Sequence, residues 1–225
     1  MNSLKYETHF HTSETSPCGK VPAAEGVKMY SEAGFTGIVV TDHYCRSFFD
    51  RQLGSSWENR MDAFLRGYRH ALEAGSKMGI DIHLGMELRF DENLNDYLVY
   101  GFDEDFLFKN SELYKLGLKK FRELTAGTGI VTVQAHPFRP GMIPADPKLI
   151  NGIEVYNGNP RHDSANCLAH SYASENGLLM ISGSDFHRPE DVARGGILIK
   201  DRIGPGSFAK ILQENKVTGL IRTEP

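Results

Sequence analysis

The feature that most constrains this chain is a rhythm. Short runs rich in Val, Ile, Leu and Tyr recur from end to end, separated by longer segments with helical spacing. Strands are predicted at 4–10, 36–43, 81–90, 97–102, 129–136, 152–157, 178–185 and 195–199. Helices are predicted near 22–34, 58–78, 111–126, 162–176 and 205–215. Strands buried on both faces read as continuous apolar runs, and amphipathic helices between them cover a parallel sheet. An α/β chain closed into a distorted barrel follows. The helix beginning near Glu58 places Met61, Phe64, Leu65, Tyr68 and Leu72 on one stripe, as a core-facing helix does. The segments "RSFFDRQLGSSW" and "PFRPGMIPADPKL" interrupt the rhythm without a change of composition and read as lids or pocket walls. With 225 residues and no repeat or linker, residues 1–225 are expected to form a single domain.

Residues that ligate metals recur where the predicted strands end. His9 and His11 close the first strand; alternate residues share a face there, about 6–7 Å apart. Asp42 and His43 close the second, Glu87 lies near the end of the third, His136 follows "IVTVQ", and Asp185 and His187 follow "LLMISGS". In a parallel barrel the carboxyl ends of the strands converge on one face. Each residue has an ordinary reading alone: Asp42 as a turn cap or a support for an imidazole, Glu87 as a surface carboxylate, His136 before Pro137 as a turn residue. Together they imply a cation, which offsets the desolvation of so many ionisable groups. Imidazole with carboxylate, and no thiolate cluster, suits Zn²⁺, Mn²⁺ or Fe²⁺. Seven candidate ligands exceed the needs of one tetrahedral ion. Two or more ions are expected, with Glu87 as a bridge.

The balance of 25 Lys plus Arg against 29 Asp plus Glu gives a formal charge of −4. No basic stripe with interleaved aromatics is visible, which weighs against nucleic acid as a partner. The N-terminus lacks a basic and apolar leader pattern, and no stretch approaches the roughly 18 apolar residues of a membrane span. Cys18, Cys45 and Cys167 form an odd, scattered set without CxxC, which fits a reducing compartment; a cytoplasmic protein without membrane partners is expected. Cys45 and Cys167 read as small packing residues.

With "HFH", "TDH", "GMEL", "QAHP" and "GSDFH" in this order, the sequence resembles the PHP (polymerase and histidinol phosphatase) superfamily of metal-dependent phosphoesterases from about residue 7 to 190. The resemblance implies a distorted (β/α)7 TIM-like barrel with two or three divalent ions at its carboxyl face. It places His9, His11, Glu87 and Asp185 around one ion, His43 and His187 at a second, and Glu87 with His136 at a third. Two positions depart from the family pattern. Tyr97 stands where many members have a further His, and shortly after HxH the sequence offers Glu14 or Cys18.

The expected activity is hydrolysis of a small phosphate monoester, similar to histidinol phosphate, a nucleotide or a sugar phosphate. A metal-bound hydroxide attacks phosphorus and the ion cluster stabilises the developing charge. Asp185 or His187 is expected to act catalytically by relaying a proton to the leaving oxygen, besides binding metal. Arg139, Arg161 and Arg188 each follow a strand end and, with Asn157, are the candidate substrate contacts. His162 lines the pocket or opens a helix; His70 and His170 sit within helical patterns. His83 lies about 13 Å along the strand from Glu87, too far for a shared ion. Alternatives are an amidohydrolase-type enzyme cleaving C–N bonds and a non-catalytic metal-binding domain. The early acidic ligand, Glu87, favours phosphoester chemistry over the first.

Overall fold

The computed structural model describes residues 3–52, 54–204 and 206–223. Its elements in chain order begin with β1 (Leu4–Phe10), α1 (Ala23–Glu32), β2 (Gly37–Val40), β3 (His43–Tyr44) and α2 (Arg46–Asp50). Next come α3 (Trp57–Phe64), α4 (Arg66–Met78), β4 (Asp81–Arg89), β5 (Asp96–Tyr100), α5 (Glu104–Lys109) and α6 (Leu118–Leu124). The remainder is β6 (Val131–Gln134), β7 (Gly152–Asn157), α7 (Asn166–Glu175), β8 (Leu179–Gly183), β9 (Gly195–Ile199), α8 (Phe208–Gln213) and β10 (Gly219–Arg222).

The sheet order is β10-β9-β1-β2-β4-β5-β6-β7-β8, with β3 taking over from β2 beside the end of β4. β1, β2 and β4 run parallel, as do β6, β7 and β8. The two ends meet at a parallel bridge, Phe10 to Phe186, flanked by His11 N–H donating to Phe186 O and Phe186 N–H to His9 O, both 3.1 Å. The Phe10 and Phe186 rings stack there at 4.8 Å between centroids. A nearly closed, barrel-like sheet results, as the strand rhythm predicts.

The structure corrects the expectation of parallel staves at two places. β5 is antiparallel to both β4 and β6, because the segment between β4 and β5 is too short for a crossover and turns back as a hairpin. β9 and β10 also run antiparallel, extending the sheet outside β1. The predicted helix 58–78 is two helices, broken at Leu65, whose ψ is −3°. α4 then packs through Gly67, Ala71, Ala74 and Gly75, so Leu72 leaves the expected stripe and is 45% exposed. Small residues let α4 approach its neighbours closely, and a Cβ on Gly67 would collide with the Thr12 and Asp42 side chains. The segment "RSFFDRQLGSSW" contains α2, whose Phe48 and Phe49 are buried, so part of it is core. Of the cysteines, Cys45 is half-buried and Cys167 exposed rather than packed.

Candidate metal centre

The ends of β1, β3, β4, β6 and β8 meet at one mouth of the barrel and surround a cavity of about 480 Å³. A cavity of about 590 Å³ lies at the other end, beside the start of β4, and among the described residues it has no such cluster. All seven residues expected to hold metal come together at the first. His9, His11, Glu87, His136 and Asp185 are buried, and His43 and His187 face the opening. Donor atoms fall into overlapping groups: His11 with His43 and His187; His9 with His136 and Asp185; His9 with His11 and Glu87. His136 and Asp185 both have positive φ, 29° and 52°. Such conformations cost of order 1–3 kcal/mol and mark positions where backbone comfort is sacrificed to aim a side chain.

Hydrogen bonding fixes which ring nitrogen faces the cavity. His9 Nδ1 lies 2.8 Å from Glu154 Oε1, a carboxylate that itself accepts from His136 N–H and Asn157 Nδ2. A carboxylate accepts, so Nδ1 carries the hydrogen and Nε2 turns a lone pair toward Glu87 and Asp185, at 3.2 and 3.4 Å. His11 Nδ1 meets Ser16 Oγ at 3.2 Å, whose own hydrogen goes to Asp42 Oδ1 at 2.6 Å. His11 Nε2 is thereby also aimed inward. These two Nε2 atoms and Glu87 Oε2 are buried without a hydrogen bond. Imidazole lone pairs facing carboxylates repel unless a cation lies between them, and each ring is held from behind as metal-ligating histidines are. The residues therefore fit divalent ions.

Charge organises the same atoms. Burial opposes a proton on His9, yet Glu154, Asp185 and Glu87 outweigh it and raise its pKa well above the usual value. Burial, with His187 and His43 nearby, pushes His11 well below it, leaving a free lone pair. Burial alone would raise Glu87 and Asp185, but the imidazoles around them hold both well below the carboxylate range, helped at Asp185 by Arg139. A divalent cation in this cluster would take the place of the proton that these carboxylates otherwise favour on His9 Nε2.

Several functional side chains escaped the sequence reading. Tyr97 does not reach the site: it packs in the core against Phe90. Its neighbour Asp96 takes the place, grouped with His43 and Glu87 and paired to Arg89 at 2.7 Å. Because β5 is reversed, its first residue rather than its last stands at the mouth, which a search of strand ends overlooks. Glu154 lies mid-strand within an apolar run, where a carboxylate is itself the signal of a buried partner. Glu7 is a further buried carboxylate; it accepts from the backbone of Thr8, His9 and Ser184 and from Tyr30 OH, fastening β1 to the end of β8. Asp42 holds the loop after β1 through Thr12 and Ser16, the supporting role open to it in the sequence.

Of the candidate substrate contacts, Arg139 reaches the centre, donating to Asp185 at 2.9 Å and Asn157 at 3.1 Å. Arg161 lines the wall but is held by both oxygens of buried Asp191 at 2.6 Å. Arg188 is exposed at the rim, and Asn157 is buried with its amide engaged by Glu154. His162 lines the cavity, exposed, ahead of α7; His70 and His170 are exposed on helices. His83 is buried at the other end of β4, away from the centre. Glu14 points away, toward Ala23 N–H and His70, whereas Cys18 Sγ lies 3.2 Å from His187 Nε2. Burial alone would raise the Cys18 thiol, but hydrogen bonds with His187 and His43 lower it to about 6.

A family model described as PHP-associated matches residues 163–217, from the loop before α7 to the segment after α8. Among solved structures, a two-domain protein from Bacteroides vulgatus, described as containing a predicted PHP-like metal-dependent phosphoesterase, superposes with a TM-score of 0.67 at 18% identity, covering 96% of this chain and 64% of that one. The chain has the PHP fold. PsfC from Pseudomonas syringae shares the fold (TM-score 0.63, 18% identity, 91% of this chain and 85% of PsfC). An amidohydrolase from Chromobacterium violaceum with bound sulfate shares it too, with a TM-score of 0.55 at 16% identity over 94% and 96% of the two chains. A search among curated proteins gives no match. The barrel expected from the resemblance is borne out, and the matched family model takes in the last of the five motifs, GSDFH. Among the described residues no helix is long and apolar enough to cross a membrane.

Proposed function

We propose that this chain, acting as a single domain, is a metal-dependent phosphoesterase that hydrolyses a small phosphate monoester. The observation that carries this reading is the division of the cavity. Its floor presents inward-facing imidazoles and carboxylates suited to two or three divalent ions such as Zn²⁺, Mn²⁺ or Fe²⁺, and its wall carries Arg89, Arg139, Arg161 and Arg188. When bound, such ions activate water and polarise phosphoryl oxygens.

The chain's own residues supply the rest. His9, His11, His43, Glu87, His136, Asp185 and His187 hold the ions, with Asp96 beside them. Arg139, anchored on Asp185 and Asn157, orients an anionic group toward the floor, and Arg188 at the rim, in a loose exposed pair with Glu190, lies within reach of the substrate. Arg161 positions the loop of His187 through Asp191. Asp185, whose carboxylate lies 3.3 Å from the His187 ring, is our candidate for passing a proton to the leaving oxygen.

An amidohydrolase is the second reading, favoured by the similarity to the Chromobacterium violaceum protein. The lining has no lysine to bridge two ions, and Arg139 and Arg188 suit a dianionic ester better than a neutral amide, Arg89 and Arg161 being paired with Asp96 and Asp191. A screen of phosphate monoesters and N-acyl substrates with Mn²⁺, Zn²⁺ or Fe²⁺ separates them. Metal-dependent phosphate release is expected; turnover of amides alone, or turnover unchanged by chelation, refutes the proposal, and ion binding without turnover of either class indicates a non-catalytic domain.

A further inference from the structure

We propose that Cys18 is a thiolate ligand, completing with His11, His43 and His187 a mixed nitrogen and sulfur position for one ion of the centre. The inference rests on the metal reading of the site and is independent of the substrate.

The geometry begins at His187. Its Nδ1 is 2.9 Å from the backbone oxygen of Asp185, which can only accept, so Nδ1 carries the hydrogen and Nε2 presents its lone pair. Cys18 Sγ faces that same nitrogen at 3.2 Å. Zinc bonds of about 2.3 Å to sulfur and 2.0 Å to nitrogen set two donors of a tetrahedral ion roughly 3.5 Å apart, close to this spacing. The third donor is independent of the cysteine. His11 Nε2 is fully buried, lacks a hydrogen-bond partner and groups with His43 and His187. Its ring centroid lies 4.2 Å from that of His187 and 4.5 Å from that of His43.

The loop bearing Cys18 is built to hold this position. Lys20 N–H donates to His187 O at 2.7 Å, Gly19 N–H to Ser16 O at 2.9 Å, and Ser16 is tied to Asp42. Gly19 passes so near Thr12 that a Cβ there would meet its backbone oxygen at 2.8 Å. Cys18 is thus delivered to the rim of the cavity beside His43 and His187. A soft ligand biases the position toward Zn²⁺ or Fe²⁺ over Mn²⁺ and Mg²⁺.

Cobalt reports the bond directly. The full-length protein loaded with Co²⁺ is expected to show a near-ultraviolet sulfur-to-cobalt charge-transfer band. The band should persist in C45S/C167S, which retains only Cys18, and vanish in C18S and C18H. C18S should weaken binding of one ion by more than the roughly tenfold that losing a supporting partner costs, and C18H should restore affinity without the band. A wild-type protein that binds cobalt through its histidines without the band overturns the proposal. So does a band that survives in C18S. Failure to bind cobalt at all overturns it together with the metal reading, whereas a normal band in a protein that releases no phosphate supports it while removing the phosphoesterase reading.

Discussion

Exchanging Glu154 for Gln tests the orientation of His9 without altering size. Glu154 is fully buried, with Oε1 on His9 Nδ1 and Oε2 accepting from His136 N–H and Asn157 Nδ2. A glutamine has one acceptor oxygen, and the two donors on the Oε2 side claim it. Its NH₂ then faces His9 Nδ1, which must accept, so the imidazole hydrogen moves to Nε2 and points at the cavity. A ring in that tautomer has no lone pair for an ion. Loss of such a supporting partner lowers metal affinity about 10–100-fold, or roughly 1.4–2.7 kcal/mol. Metal-free E154Q should keep much of its stability, because either tautomer finds a partner at Nδ1. Calorimetric titration with Zn²⁺ measures the affinity, and nitrogen NMR of His9 reads the tautomer. Wild-type affinity with His9 protonated at Nε2 would show that the ring is not a ligand and refute the reasoning.

Other outcomes follow from the same structure. His83 is buried with both ring nitrogens unpartnered, and burial, only partly opposed by Asp81, lowers its pKa to about 4. The unfolded chain binds the proton near 6.5, so stability is complete above that pH and is lost as pH falls toward 4, by about 3 kcal/mol. H83F should lose correspondingly less stability between pH 7 and 4 in urea unfolding; an identical pH dependence contradicts this. R161A leaves an oxygen pair of buried Asp191 without its guanidinium and should cost about 1–3 kcal/mol of stability, measured by thermal unfolding, where a pure substrate contact would change only KM. Stripping ions with a chelator should lower the melting temperature, since a ligand at 100 times its dissociation constant stabilises by about 2.7 kcal/mol; an unchanged transition argues that the folded protein does not bind them.

The convergence of seven potential ligands was legible because six of them close or follow a strand, and the parallel part of the sheet points those ends one way. The same rule explains what was hidden. Asp96 begins a reversed strand, so alternation puts it at the mouth and Tyr97 in the core, one residue away from where the sequence drew attention. Glu154 and Glu7 sit inside apolar runs, and nothing local says which distant imidazole or backbone amide offsets their burial. Arg161 looked like Arg139 and Arg188 until its partner was known, because Asp191 lies 30 residues further along and the choice between substrate and structural pairing is made only in space. The helix break at Leu65 reflects a demand of tertiary packing, the close passage of Gly67 past Thr12 and Asp42, which helical periodicity does not register.

The bridge between Phe10 and Phe186, together with the Glu7 carboxylate that accepts from Ser184 N–H, joins β1 to the end of β8, and the ligand pairs stand on opposite lips of that seam: His9 and His11 on one, Asp185 and His187 on the other. An ion coordinated from both lips works as a rivet. The seam should then be the first place to part when the metal leaves, so that cation supply governs how tightly the cylinder is shut.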